Sequence, residues 1–146
     1  MFEPLWLFNV AIANDYTVYQ KRGTGTEAWC IGVLSNVATL FDNEFLVGIE
    51  LNVATVFIAT DTATDPWDGV NNISTHLDVH KAWGNAGGYG SADYAMAVAW
   101  STKYTAGAVG LTWIGGLCND NKYMVLSDFG GAPNYLRALQ THNTGH

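Results

Sequence analysis

Residues 46–60 read LVGIELNVATVFIAT. β-Branched residues crowd this stretch and its apolar positions partly alternate, the pattern of a long strand. Working back from it, residues 26–42, TEAWCIGVLSNVATLFD, place Trp29, Cys30, Val33, Leu34, Val37, Leu40 and Phe41 at helical spacing with one apolar face. Earlier still, LWLFNVAIA over residues 5–13 is the near-continuous apolar run of a buried strand. Strand, helix and strand in that order open an α/β fold, so the expected architecture is a mixed twisted sheet of about five strands with flanking helices.

The remainder extends the pattern. DTATDPWDG, residues 61–69, is a turn region in which Pro66 forces an extended neighbour. ISTHLDVHKAWG, residues 73–84, is expected to form a short helix with Ser74 or Thr75 near its N-cap. A glycine loop follows, NAGGYGSAD, and then a third strand in YAMAVAWST. AVGLTWIGGLC and KYMVLSDFG read as two more strands joined by the polar turn Asn119-Asp120-Asn121. GGAP breaks the pattern, with Pro133 placed to open a final helix that runs into residue 146.

Composition bounds what such a fold can do. The 146 residues suit one compact domain. Hydrophobic residues make up 49% and charged ones 13%, so the chain is core-rich and not disordered. A net charge of -7 argues against a nucleic-acid partner and against an anionic membrane surface. No apolar run is long enough to span a bilayer. The abundance of aromatic, Ser, Thr, Asn and Gly residues fits an extracellular or secreted protein. MFEPLWLFNVAIAND lacks a basic leader region and is not expected to be a signal peptide, which would have been removed or lie in a longer precursor. Asn72-Ile73-Ser74 is a glycosylation sequon, meaningful only on secretion. Cys30 and Cys118 are the only cysteines; they pair with each other or are buried free thiols.

Two histidine pairs stand four apart. His76 and His80 lie on the second helix, where the expected reading is a solvated helix face. His142 and His146 lie on the last, in THNTGH, and two imidazoles on one helix face can hold a zinc ion. In the protease form of that motif the residue after the first His is a Glu that takes a proton from zinc-bound water. Here it is Asn143, whose neutral amide can hydrogen-bond water but cannot act as a base.

Context separates the pairs. GAVGLTWIGGLC, then KYMVLSDFG, then ALQTHNTGH resembles the metzincin zinc metallopeptidases, in particular the reprolysin- or adamalysin-like branch. Gly110-Leu111-Thr112-Trp113, Cys118, Val125-Leu126-Ser127-Asp128 and His142-Asn143-Thr144-Gly145-His146 stand where that family has its edge strand, strand-end cysteine, next strand and zinc helix. The resemblance is strong from about residue 107 onward and looser before it. It implies a zincin-like N-terminal subdomain and a metalloendopeptidase function. It also implies zinc held by His142 and His146, and a peptide or protein bound along Gly110, Leu111, Thr112, Trp113, Ile114 and Gly115. The family pattern continues to a third His and a Met-turn. This sequence stops at His146, so a single domain truncated at the zinc-binding helix is expected, and one that does not cleave peptides as written. A non-catalytic scaffold for extracellular binding, or for fibre or surface assembly, is the alternative, and a homo-oligomer is compatible with either.

Other residues carry structural expectations. Trp6, Trp29, Trp83, Trp100 and Trp113 should be core or half-buried packing. Asp61, Asp65 and Asp68 should lie in a solvated turn, a calcium site being the lesser reading. Glu44 and Glu50 have no catalytic partner in the pattern.

Overall fold

A computed structural model describes residues 5–44, 48–105, 110–112 and 121–128. The chain runs β1 (Leu5–Asn14), α1 (Tyr16–Arg22), a short 3-10 turn (Gly23–Gly25), α2 (Thr26–Glu44), β2 (Gly48–Ile58), α3 (Ile73–Asn85), β3 (Met96–Ser101), β4 (Gly110–Thr112) and β5 (Tyr123–Ser127). The strands form one sheet in the order β2-β1-β3-β5-β4. All neighbours are parallel except β4, which runs antiparallel on β5 at the edge. The mixed α/β sheet expected from the sequence is therefore present. The last helix, from Pro133 onward, lies outside the described residues, as does Cys118.

The period-2 geometry of a strand sends alternate residues to opposite faces. Val10 and Ile12 of β1, Met96, Val98 and Trp100 of β3, and Met124 and Leu126 of β5 face α2, where they meet Cys30, Val33, Leu34 and, from α1, Val18. Ala11, Ala13, Ala97, Ala99, Tyr123 and Val125 line the other face, packed with Leu77 of α3 and with Trp67, Tyr89 and Tyr104. Both faces of the central strands are covered, which is why β1 reads as a continuous apolar run. The β1–β2 register shifts between Val10 and Ala11, so Val10 pairs with Val53 and Ala11 with Thr55, and Ala54 is the extra residue of a bulge.

The helix caps refine the sequence reading. Ser74 and Thr75 lie near the N-cap of α3 as expected, and the cap itself is Asn72, its side chain accepting from the backbone N–H of Ser74 (2.9 Å) and Thr75 (3.2 Å). Helix α1, absent from the sequence reading, is capped by Asp15, which accepts from Val18 N–H at 3.1 Å. It ends at Gly23, where φ is +56°, a conformation that favours glycine. Cys30 is a free thiol, fully enclosed, donating from Sγ to Asn14 Oδ1 at 3.1 Å, and burial pushes it up to about 12. No helix among the described residues is long and apolar enough to cross a membrane.

Candidate functional site: an open strand edge and a buried histidine pair

Among the described residues strand β4 ends the sheet. Gly110 pairs with Leu126, Leu111 with Val125 and Thr112 with Met124. An antiparallel edge strand turns alternate N–H and C=O groups outward, free to take up another chain. Thr112 steadies the pair by donating from its hydroxyl to the Tyr123 carbonyl at 3.2 Å. Leu111 turns inward onto the aromatic cluster beneath α3, so the helix supports β4 as well as β5. Of the residues expected to bind substrate, Gly110, Leu111 and Thr112 are thus on one edge. Trp113, Ile114 and Gly115 lie outside the described residues, and so do His142, Asn143 and His146. Among the described residues no group of three or more His, Cys, Asp or Glu side chains could hold a metal ion.

The other histidine pair is not where the sequence placed it. His76 and His80 are fully buried, not solvated. They fall on the same helical stripe as Ile73, Leu77 and Gly84, and that stripe faces the sheet, leaving Ser74 and Asp78 outside. Four small residues, Ala11, Ala13, Ala97 and Ala99, leave room there for large rings. Trp67 fills it, its ring 5.0 Å from His76, 5.7 Å from His80 and 5.2 Å from Trp83. His76 Nδ1 lies 2.7 Å from the Tyr104 hydroxyl, and His80 Nε2 lies 2.6 Å from that of Tyr89. Desolvation drives His76 down to about 2, with His80 and Lys103 adding to the effect, and drives His80 down to about 3. Both rings are neutral, and each commits one nitrogen to a tyrosine. Trp67, which sequence reasoning passed over, is the most enclosed of the described tryptophans; Trp100 is also core, and Trp29 and Trp83 are half-buried, as expected. Trp6 and Trp113 lie outside the side chains described.

A polar layer closes the carboxyl ends of the parallel strands. Main-chain bonds run from Asp15 N–H to the Trp100 carbonyl, Ala59 N–H to Asn14, and Asp128 N–H to Ser101 (2.7 Å). Asp128, buried just beyond β5, accepts from Lys21 Nζ at 2.8 Å and from Arg22 Nε at 3.0 Å and Nη2. Lys103 donates to the carbonyls of Trp67 (3.0 Å) and Val70 (2.9 Å) and lies 3.9 Å from Asp15 Oδ2. Burial raises the Asp15 carboxyl above its ordinary value, against hydrogen bonds from Ser101, Thr17 and Val18. Asp65 is buried as well, accepting from Tyr16 N–H (3.1 Å) and Trp67 N–H (3.0 Å), which corrects its expected place in a solvated turn; Asp61 and Asp68 are exposed. With both Asp65 oxygens committed to backbone, this loop is a structural clasp. Asn72, the sequon residue, is exposed.

The model of the Reprolysin_5 family, metallo-peptidase family M12, matches residues 7–146. Among solved structures, a chain in "Structure of a chaperone-substrate complex" aligns with a TM-score of 0.63 at 14% identity. The alignment covers 97% of this chain and 23% of that one, and at such identity the likeness is one of fold. No curated protein sequence matches.

Proposed function

The chain belongs to metallopeptidase family M12, and from that premise we propose that it is a zinc-binding metalloendopeptidase domain of a secreted protein whose hydrolytic step is lost at Asn143. The observation that carries this reading is the pairing of two zinc-type ligands, His142 and His146, with an amide at the position of the general base. Zinc, when bound, polarises a peptide carbonyl and acidifies its bound water. Two imidazoles suit zinc in kind, a catalytic site takes three protein ligands, and the described residues supply no further cluster. Asn143 can orient a water through its amide but cannot remove its proton. Gly110, Leu111 and Thr112, continued by Trp113, Ile114 and Gly115, would hold an extended peptide by strand addition. The glycines allow close backbone approach. The test is zinc per chain after dialysis, together with cleavage of a quenched peptide library. Bound zinc without cleavage supports the reading, whereas cleavage by the unaltered chain overturns it.

A second reading keeps the fold and drops the metal: a scaffold that binds extracellular partners, or a further copy of itself, through the β4 edge. The outward backbone of β4 favours it. Near-zero zinc with retained peptide binding would select it. Under either reading Asn72 is a glycosylation site. Its Oδ1 is taken by the helix cap, which leaves Nδ2 outside the capping bonds on an exposed side chain. Intact-mass analysis of the native protein, before and after glycosidase treatment, checks this.

A further inference from the structure

We propose that α3 is an acid-released layer: protonation of its buried histidine pair, His76 and His80, detaches the helix from the sheet face it covers while the α2 face stays packed.

The argument starts from where the two rings sit. Both are fully buried, on one stripe of one helix, beneath Trp67. Each has a second nitrogen, His76 Nε2 and His80 Nδ1, buried without a hydrogen-bond partner. A proton added in place therefore creates a cation at a site that water does not reach. The groups around the rings offset it only in part: the Met124 main chain favours the charged form of His80, and burial outweighs it. From the loop before α3 come Trp67 and Asp65, and Asp65 is committed to the backbone of Tyr16 and Trp67. From the segment after β3 come Tyr104 and Lys103, and the Lys103 ammonium repels a charge on His76. Asp15, the other carboxylate near Tyr104, faces Lys103 at 3.9 Å. From the loop after α3 come Tyr89 and Tyr94, and from β5 comes Tyr123, with the Met124 main chain beside His80; β4 contributes Leu111. On α3 itself Asp78 is exposed and Lys81 bonds Asn121. No carboxylate forms an ion pair with either ring among the described residues.

The two layers differ in kind. Among the described residues both histidine rings pack on the α3 side, whereas the buried cluster on the α2 side is built from Val, Ile, Leu, Met, Trp and one Cys. Protonation of these two rings therefore acts on the α3 face. Once α3 leaves the sheet its imidazoles regain an ordinary affinity near pH 6.5, and the open state gains about 10-fold per pH unit for each histidine below that point. Because α3 backs both β5 and β4, its departure also removes the support under Leu111.

Hydrogen exchange read by mass spectrometry, corrected for the intrinsic pH dependence, decides the matter. Between pH 7 and pH 4.5 the amides of residues 73–85 should lose protection by about 100-fold or more, while those of β1, β3 and α2 keep theirs. His76→Asn keeps a hydrogen-bonding atom near the Nδ1 position and His80→Gln one near the Nε2 position, and neither titrates. The double variant, or His80→Gln alone should the double not fold, should hold α3 through the same range or shift its release to lower pH. Unchanged α3 protection in the wild type overturns the proposal. So does simultaneous loss across β1 and α2, which would be global unfolding, and so does an undiminished acid response in the variants.

Discussion

A Cβ added to Gly84 would lie 2.5 Å from Cε1 and 2.7 Å from the hydroxyl of Tyr123. Helix α3 thus passes over β5 at a distance that only glycine permits, with a ring of the sheet in the place of a side chain. Tyr123 is itself fixed, donating to Asn85 Oδ1 at 2.7 Å and bonded to the Tyr94 hydroxyl at 2.8 Å. The ring cannot swing away without breaking both bonds. Gly84→Ala should therefore destabilise the fold by about 1–3 kcal/mol, the usual cost of overpacking, despite the better helix propensity of alanine. Chemical denaturation checks it; a stabilised variant would show that the Gly84–Tyr123 approach can relax.

Stability should fall as the solution is acidified, in a window set by the histidines. Their folded-state values, about 2 for His76 and about 3 for His80, lie far below the ordinary 6.5. The unfolded chain then binds protons that the folded chain does not, so stability is fully present above about pH 6.5 and declines until the folded-state values are reached. At pH 5 the loss should be about 2 kcal/mol per histidine. Asp15 acts in the opposite sense, since a raised carboxyl favours the folded state as pH falls through its own range. Urea midpoints from pH 8 to pH 5 measure the balance, and a flat profile would mean that the pair is not neutral and buried.

The burial of Asp128 should depend on its cationic partners. Its side chain is completely enclosed, while its partners Lys21 and Arg22 remain partly exposed. Arg22 also lies 3.9 Å over the Trp29 ring, so one side chain ties α1, α2 and the end of β5 together. Arg22→Ala leaves a buried carboxylate with one ammonium in place of three donors and should cost about 2–4 kcal/mol. Arg22→Lys should recover only part of this, lacking the planar fork. Thermal unfolding of the two variants tests the order.

Much of the scaffold could be read from the chain before its structure was known. β1 announces itself because burial on both faces leaves an uninterrupted apolar run, and α2 and β2 because one buried side leaves periodic apolar positions. Helix α1 does not, because Val18 is its only buried residue and its ends depend on partners far away in sequence: the ion pairs of Lys21 and Arg22 span 107 and 106 residues. The inward turn of His76 and His80 was equally hidden. A histidine reads as polar until one sees that four alanines on neighbouring strands make space for it and that two tyrosines distant in the chain complete its bonding. Trp67 follows Pro66 in what looks like a surface turn, and only the clasp made by Asp65 folds that turn inward. The residues of the proposed zinc site were read from the family resemblance around one short stretch of sequence, and they lie outside the described residues.

That locality makes Asn143 the sharpest single test. If the lost step is proton removal, Asn143→Glu restores a carboxylate at the position from which the family's base acts, on a side chain one methylene longer. In a chain that binds zinc, the change should bring peptide cleavage from background to a measurable rate. It should give a pH profile with an acidic limb set by the new carboxylate, and chelation should abolish the activity. Zinc content should be unchanged, because the substitution does not touch the imidazoles of His142 and His146. Zinc binding by both proteins with cleavage by neither would place the defect elsewhere than at Asn143. Cleavage by the unaltered protein at the same rate as the variant would remove Asn143 from the argument and send the search for the base to another side chain.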